Sequence, residues 1–182
     1  MPRVAPITGK SDVPAEHHGV VDAVTQVFGN VRGPFNILLH SPRLAEHVLP
    51  LVTFFRDESV VDARLRSLAI LSAVREREAA YVWAAQVAAA RRNGVPEAVI
   101  DLLRVKGDPG TLAADERDVV IYVRQLMRTN RADQAVFDAL VKRHGPQWLV
   151  ELTAAANYFA MLSGIVNAFE VAPPPDGDKL PA

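Results

Sequence analysis

The segment from Asp62 to Ile100, DARLRSLAILSAVREREAAYVWAAQVAAARRNGVPEAVI, constrains the fold more than any other stretch of the chain. Leu65, Leu68, Ala69 and Ser72 fall at i, i+3, i+4 and i+7, the spacing of one helical face. Val82, Ala85, Gln86 and Ala89 repeat that spacing in a second helix. Its many alanines favour helix and let a neighbour approach closely. Asn93-Gly94 is a stop signal, because glycine accepts the left-handed conformation that follows a helix C-cap. Pro96 suits the first turn of a third helix, where its missing N–H costs nothing.

The rest of the chain follows the same period. A first helix is expected from Pro14 to Phe28 and a short one from Phe35 to His40. Ser41-Pro42 opens a helix over Arg43–Arg56, which Pro50 should bend or divide. Ala98–Val105 forms another, ended by Gly107-Asp108-Pro109-Gly110. Thr111 and Asp115 suit the start of a helix lined by Val119, Val120, Val123, Leu126 and Met127. Asp133 is placed to cap the next, and Gly145-Pro146 separates it from a long apolar helix over Gln147–Phe169. No segment alternates with period two long enough to argue a strand. The expectation is an all-α bundle of about seven or eight helices.

At 182 residues the chain is read as one domain. An extended arm (1–13) precedes the helical body (14–172), and a flexible Pro-rich tail (173–182) follows it. A net charge of -1 gives no electrostatic footprint for nucleic acid or an anionic membrane, so neither is expected as a partner. The apolar run Leu149–Ala172 is interrupted by Glu151, Asn157, Asn167 and Glu170, and reads as a buried helix. Residues 1–13 lack the apolar core of a secretion signal, so a cytoplasmic location is expected. The absence of cysteine excludes disulfides, thiolate metal sites and thiol redox chemistry. Glycine-rich phosphate loops, paired-histidine zinc motifs and nucleophile elbows are also missing, and no metal site or cofactor is expected.

Four short motifs carry a resemblance: HSPRL (His40–Leu44), RLRSLAIL (Arg64–Leu71), YVWAAQVAAARRNGV (Tyr81–Val95) and LVELTAAANYFAM (Leu149–Met161). Through them the chain, from about Pro34 to Val171, resembles the carboxymuconolactone decarboxylase family of the AhpD-like superfamily. That family usually reads R-E-L-A-I-L and then E-W-x-x-H. Its first Glu falls on Ser67, and its Glu and His on Val82 and Gln86. The resemblance implies an all-helical fold and a homo-oligomer, often a trimer or a hexamer built from trimers. It also implies small-molecule pockets at or near the subunit contacts. Superfamily peroxidases use a C-x-x-C pair, which this chain does not contain.

Several residues are candidates for such a pocket. Gln86 can donate and accept hydrogen bonds to orient a carboxylate or polarise a carbonyl; as an alternative it is a core or interface residue. Tyr81, beside it, offers a phenol to an oxyanion. His47 stands as a substitute acid–base group for the family histidine. Val82, Trp83, His40, Asn157 and Tyr158 are candidate binding residues. For His40 a structural bond to loop carbonyls is the competing account, and for Asn157 and Tyr158 a buried network. Arg64, Arg66, Arg75, Arg77, Arg91 and Arg92 read mostly as a solvated or interface face, from which one can still clamp a carboxylate. Two functions stay open. One is a cofactor-independent lyase or isomerase acting on a small carbonyl, lactone or carboxylate compound. The other is a non-catalytic oligomeric binding or scaffold protein.

Overall fold

In a computed structural model that describes residues 2–181, these residues contain nine α-helices and no strand. In chain order they are α1 His18–Phe28, α2 Pro34–Leu38, α3 Pro42–Thr53, α4 Ala63–Glu76, α5 Ala80–Arg92, α6 Glu97–Arg104, α7 Ala114–Thr129, α8 Gln134–His144 and α9 Pro146–Ala168. The all-α expectation holds, with boundaries shifted by a few residues.

The centre is α4, which packs against α7, α9 and α5. Every residue from Leu65 to Arg75 is buried, so this stretch of α4 has no solvent face; a helix enclosed all round carries no amphipathic stripe. Two buried arginines contradict the reading of a solvated basic face. Arg66 Nη1 donates to Val61 O at 2.7 Å and Nη2 to Arg56 O at 3.3 Å. Arg75 Nε donates to Arg104 O at 2.6 Å, and its guanidinium pairs with Glu78. Arg66 satisfies carbonyls of the segment before α4 and Arg75 the carbonyl at the end of α6, which offsets the cost of their burial.

Local signals explain most boundaries. Asp62 caps α4 by accepting from Leu65 N–H at 2.9 Å. Gly94 takes φ +77 after α5. Pro96 sits at the N-cap of α6, one residue earlier than expected. Asp133 occupies the N-cap of α8, but its carboxylate accepts from Gln125 Nε2 at 2.6 Å and makes no cap bond. The helix α3 runs through Pro50 undivided and then widens into a π-helical turn over Phe54–Glu58, which points Phe55 inward.

By length and composition α9 is apolar enough to cross a bilayer; in the structure it packs along α4, with α2, α5 and α8 beside it. It ends in a Schellman turn. Glu170 is left-handed (φ 53), its N–H donates to Asn167 O, and Val171 N–H donates to Val166 O at 2.9 Å.

Both termini lie on this body, apart from Met1 and Ala182, which are outside the described residues. Arg3 N–H donates to Phe169 O at 3.0 Å, and Ile7 is buried with its N–H on Asn36 O. The tail, which its composition marks as flexible, is docked in the structure. Leu180 packs against the core and Asp178 pairs with Arg91 and Arg104.

Candidate active site

One face of α5 forms a wall of a cavity of about 370 Å³. The wall is made of Tyr81, Val82, Gln86 and the alanines between and beyond them. Small side chains at 84, 85 and 88 leave the space open. Phe28 and Phe35, whose ring centroids lie 5.2 Å apart, close the opposite side with Phe159 and Leu162. The enclosure is therefore mostly aromatic and aliphatic, with polar groups at a few points. That is the usual make-up of a small-molecule site.

The polar groups at the cavity have hydrogen-bonding capacity to spare. Tyr81 is half-buried, and its hydroxyl has no partner among the described residues. Burial pushes its phenol above the ordinary range while the nearby Arg32 guanidinium pulls it down, so it stays a donor at neutral pH. Its ring is seated by Gly33 (φ +60), where an added Cβ would lie 2.5 Å from Tyr81 Cε1. No side chain fits there without moving the phenol.

Gln86 likewise has no hydrogen-bond partner among the described residues, and it lines two spaces. The second is a side pocket of about 140 Å³ reached also by Ser67, Arg66 and Asn93. There Asn93 Nδ2 donates to Ser67 Oγ at 2.9 Å, and Ser67 donates to Ala63 O at 2.8 Å. The three positions singled out in the sequence, Ser67, Val82 and Gln86, thus come together around adjoining cavities.

Two guanidiniums, Arg32 and Arg92, complete the lining. Both are exposed, and neither has a carboxylate partner among the described residues. By contrast Arg64 is paired with Glu116 and Arg91 with Glu97 and Asp178. Arg92 was one of six equivalent arginines in the sequence. Arg32 lies in a loop distant in sequence, and only its place beside Gly33-Pro34 hints at a role.

Five candidates lie elsewhere. His47 is exposed on α3 and lines neither space. His40 is also exposed, and its Nε2 donates to Ala5 O at 2.8 Å, which holds the N-terminal arm. Trp83 is fully buried; one residue round from Val82, it turns into the core. Its indole N–H is without a partner among the described residues. Tyr158 is buried with its hydroxyl donating to Val48 O at 3.1 Å, and burial raises its phenol far above the ordinary range. Asn157 is exposed on α9, bonded to Thr153 O, in a separate groove. Among the described residues no three His, Asp or Glu side chains converge as metal ligands.

No protein-family model matches the sequence, and no curated protein is significantly similar to it. Solved structures are similar in fold. The debrominase Bmp8, in complex with 2,3,4-tribromopyrrole, superposes with a TM-score of 0.72 at 16% identity, covering 96% of this chain and 95% of that one. An uncharacterized peroxidase-related protein from Ralstonia eutropha JMP134 with an alkylhydroperoxidase AhpD core gives 0.72 at 16% identity over 95% of both chains. A protein of unknown function from Agrobacterium tumefaciens gives 0.69 at 20% identity, over 79% of this chain and 99% of that one. The chain has the AhpD-like all-α fold.

Proposed function

We propose that the α5 cavity binds and converts a small carbonyl, lactone or carboxylate compound without a cofactor, as a lyase or isomerase. The observation that carries this reading is the pair of unpartnered polar groups, the Tyr81 hydroxyl and the Gln86 amide, in a mostly apolar cavity with the Arg32 and Arg92 guanidiniums in its lining. Donors held in a water-poor site are aimed at charge that develops on a reacting oxygen, where they act more strongly than in water. In this reading Tyr81 donates to that oxygen and Gln86 fixes the orientation of the carbonyl or carboxylate. Arg32 or Arg92 neutralises an anionic substituent at the rim, and the aromatic walls hold a flat skeleton in place. The Bmp8 structure holds a brominated pyrrole, and a flat heteroaromatic ring belongs in the set of compounds to test here. The same reading carries a cytoplasmic homo-oligomer, which sedimentation of the purified protein checks.

A second reading rests on a specific observation: among the described residues no carboxylate or imidazole lines the main cavity, and burial keeps Tyr81 protonated. In that case the cavity binds its ligand without converting it.

A thermal-shift screen of small lactones, keto acids, aromatic acids and halogenated pyrroles separates the outcomes. A ligand that binds only the folded protein raises stability by RT ln(1 + [L]/Kd). Under the enzyme reading, a compound stabilises the wild type but not Gln86→Ala, and is consumed in solution. Stabilisation with no change in the compound supports the binding protein. A shift that Gln86→Ala and Tyr81→Phe both leave intact removes the site from α5.

A further inference from the structure

The tail departs from what its composition suggests. Beyond the Schellman turn at Glu170, three consecutive prolines (Pro173–Pro175) stiffen the chain and limit the entropy it loses on docking. Gly177 then lies against Ala84 of α5 so closely that a Cβ on it would stand 2.8 Å from the Ala84 Cβ. Only two small residues permit this approach. Next, Asp178 reaches Arg91 Nη1 at 2.6 Å and Nη2 at 2.9 Å, a two-pronged contact, and Arg104 Nη2 at 3.3 Å. Arg91 is held ready on its other edge by Glu97, at 2.9 and 2.7 Å. Leu180 finishes the contact by packing on the core.

Pro174 and Gly177 are themselves part of the wall of the α5 cavity. Ala84, beneath them, is 6% exposed, whereas Ala88, one turn along the same face, is exposed. We propose that residues 173–181 form a strap over one side of the cavity, and that the clasp of Asp178 on Arg91 and Arg104 sets how readily the strap lifts to admit a ligand. The clasp is partly solvated, so its ion pairs are of the weak, salt-screened kind. A contact of this strength favours closure without locking it. The gating role rests on the reading of the α5 cavity as the ligand site; the strap itself is testable without any ligand.

Because the chain has no cysteine, Ala84→Cys and Ala88→Cys each introduce a sole thiol, one under the strap and one beyond it. Reaction with an aromatic disulfide reagent is followed for each, in the otherwise wild-type chain, with Asp178→Asn, and with the chain ended at Ala172. The thiol at 84 is expected to react more slowly than that at 88. Asp178→Asn should speed it about fivefold, the equivalent of one exposed ion pair in an opening equilibrium, and truncation by more. The rate at 88 should not move. A rate at 84 that truncation leaves unchanged overturns the strap. Since the substitution at 84 can itself prop the tail open, trypsin cleavage after Lys179 is measured in a chain with Ala84 intact. Cleavage should accelerate with Asp178→Asn, and added salt should accelerate it in the wild type only. Equal cleavage of both chains at all salt concentrations overturns the clasp. Neither readout involves a ligand, so a failed ligand screen and a failed strap are told apart.

Discussion

Two concavities of similar size lie on opposite sides of α9. One is the α5 cavity; the other is a groove of about 330 Å³ between α8 and α9, bordered by Phe137, Val141, Leu149, Val150 and Asn157. Both are apolar, and the difference lies in their hydrogen bonds. In the groove Thr153 Oγ1 donates to Leu149 O at 2.6 Å, so it accepts from the Tyr122 hydroxyl at 2.8 Å. Asn157 Nδ2 in turn donates to Thr153 O. These bonds run back into α9 itself. In the cavity, Tyr81, Gln86, Arg32 and Arg92 have capacity left over. Space and apolar lining are thus common to both; what separates them is polar groups not already engaged by the protein.

The contrast extends to stability, and substitutions can break it. Phe35 is 1% exposed and belongs to both the cavity wall and the core, while Phe137 in the groove is 42% exposed. Phe35→Ala is expected to cost about 3–5 kcal/mol. Phe137→Ala should cost less than about 1 kcal/mol by the same area argument. Denaturant midpoints of the two variants measure this, and equal losses would contradict the assignment of walls. Gly33→Ala comes next, because it adds a Cβ against the Tyr81 ring at a left-handed position; a penalty of about 1–3 kcal/mol is expected, together with loss of ligand binding.

Within the cavity, Tyr81→Phe or Gln86→Ala should weaken a bound carbonyl ligand by about tenfold, the value of one hydrogen bond near 1.4 kcal/mol. The matched change in the groove, Tyr122→Phe, should leave that affinity untouched and cost about 1 kcal/mol of stability. Calorimetric titration of both variants, beside their melting curves, sharpens or removes the distinction.

The smallest effect concerns acid. The Arg91 hydrogen bond, and then the charges of Arg91 and Arg104, hold Asp178 below the usual carboxylate range. Glu97, on the same guanidinium, is lowered in the same way, and Lys179 and Asp176 flank Asp178 on the strap. A carboxylate depressed in the docked state contributes its stabilisation above its ordinary value, and that contribution is lost as pH falls through the depressed one. Trypsin-like probing is impractical there, so pepsin sensitivity of the tail should rise below the ordinary carboxylate range in the wild type and be flat in Asp178→Asn.

Legibility in the sequence followed the range of the interaction. The stop at Gly94 and the N-cap position of Asp133 depend on neighbours a few residues away, and both are readable in the sequence; the cap at Asp62 is equally local but is not among the expectations. Tyr81, Val82 and Gln86, which line one cavity, are pointed to by the resemblance and not by periodicity. Trp83 falls on the core side instead, because α5 is apolar from Ala80 to Ala90 apart from Gln86, so periodicity alone does not tell cavity from core. His47 had suitable chemistry but sits on the exposed side of α3. Arg32 and the docked tail depend on contacts between segments far apart in the chain, as Arg91 and Asp178 do, and no local pattern encodes them.

The arm at the other terminus fixes the root of the strap. Arg3 bonds to Phe169 O and Ala168 O and pairs with Glu170, so the tail leaves the body from a tethered point. Asp178 is only eight residues beyond it. A segment on so short a tether returns to its site as an intramolecular event, at an effective concentration on the order of millimolar. A free peptide of the same sequence must therefore reach roughly that concentration before it displaces the strap. The protein's own end has precedence at α5 by proximity alone, however weak each of its contacts is.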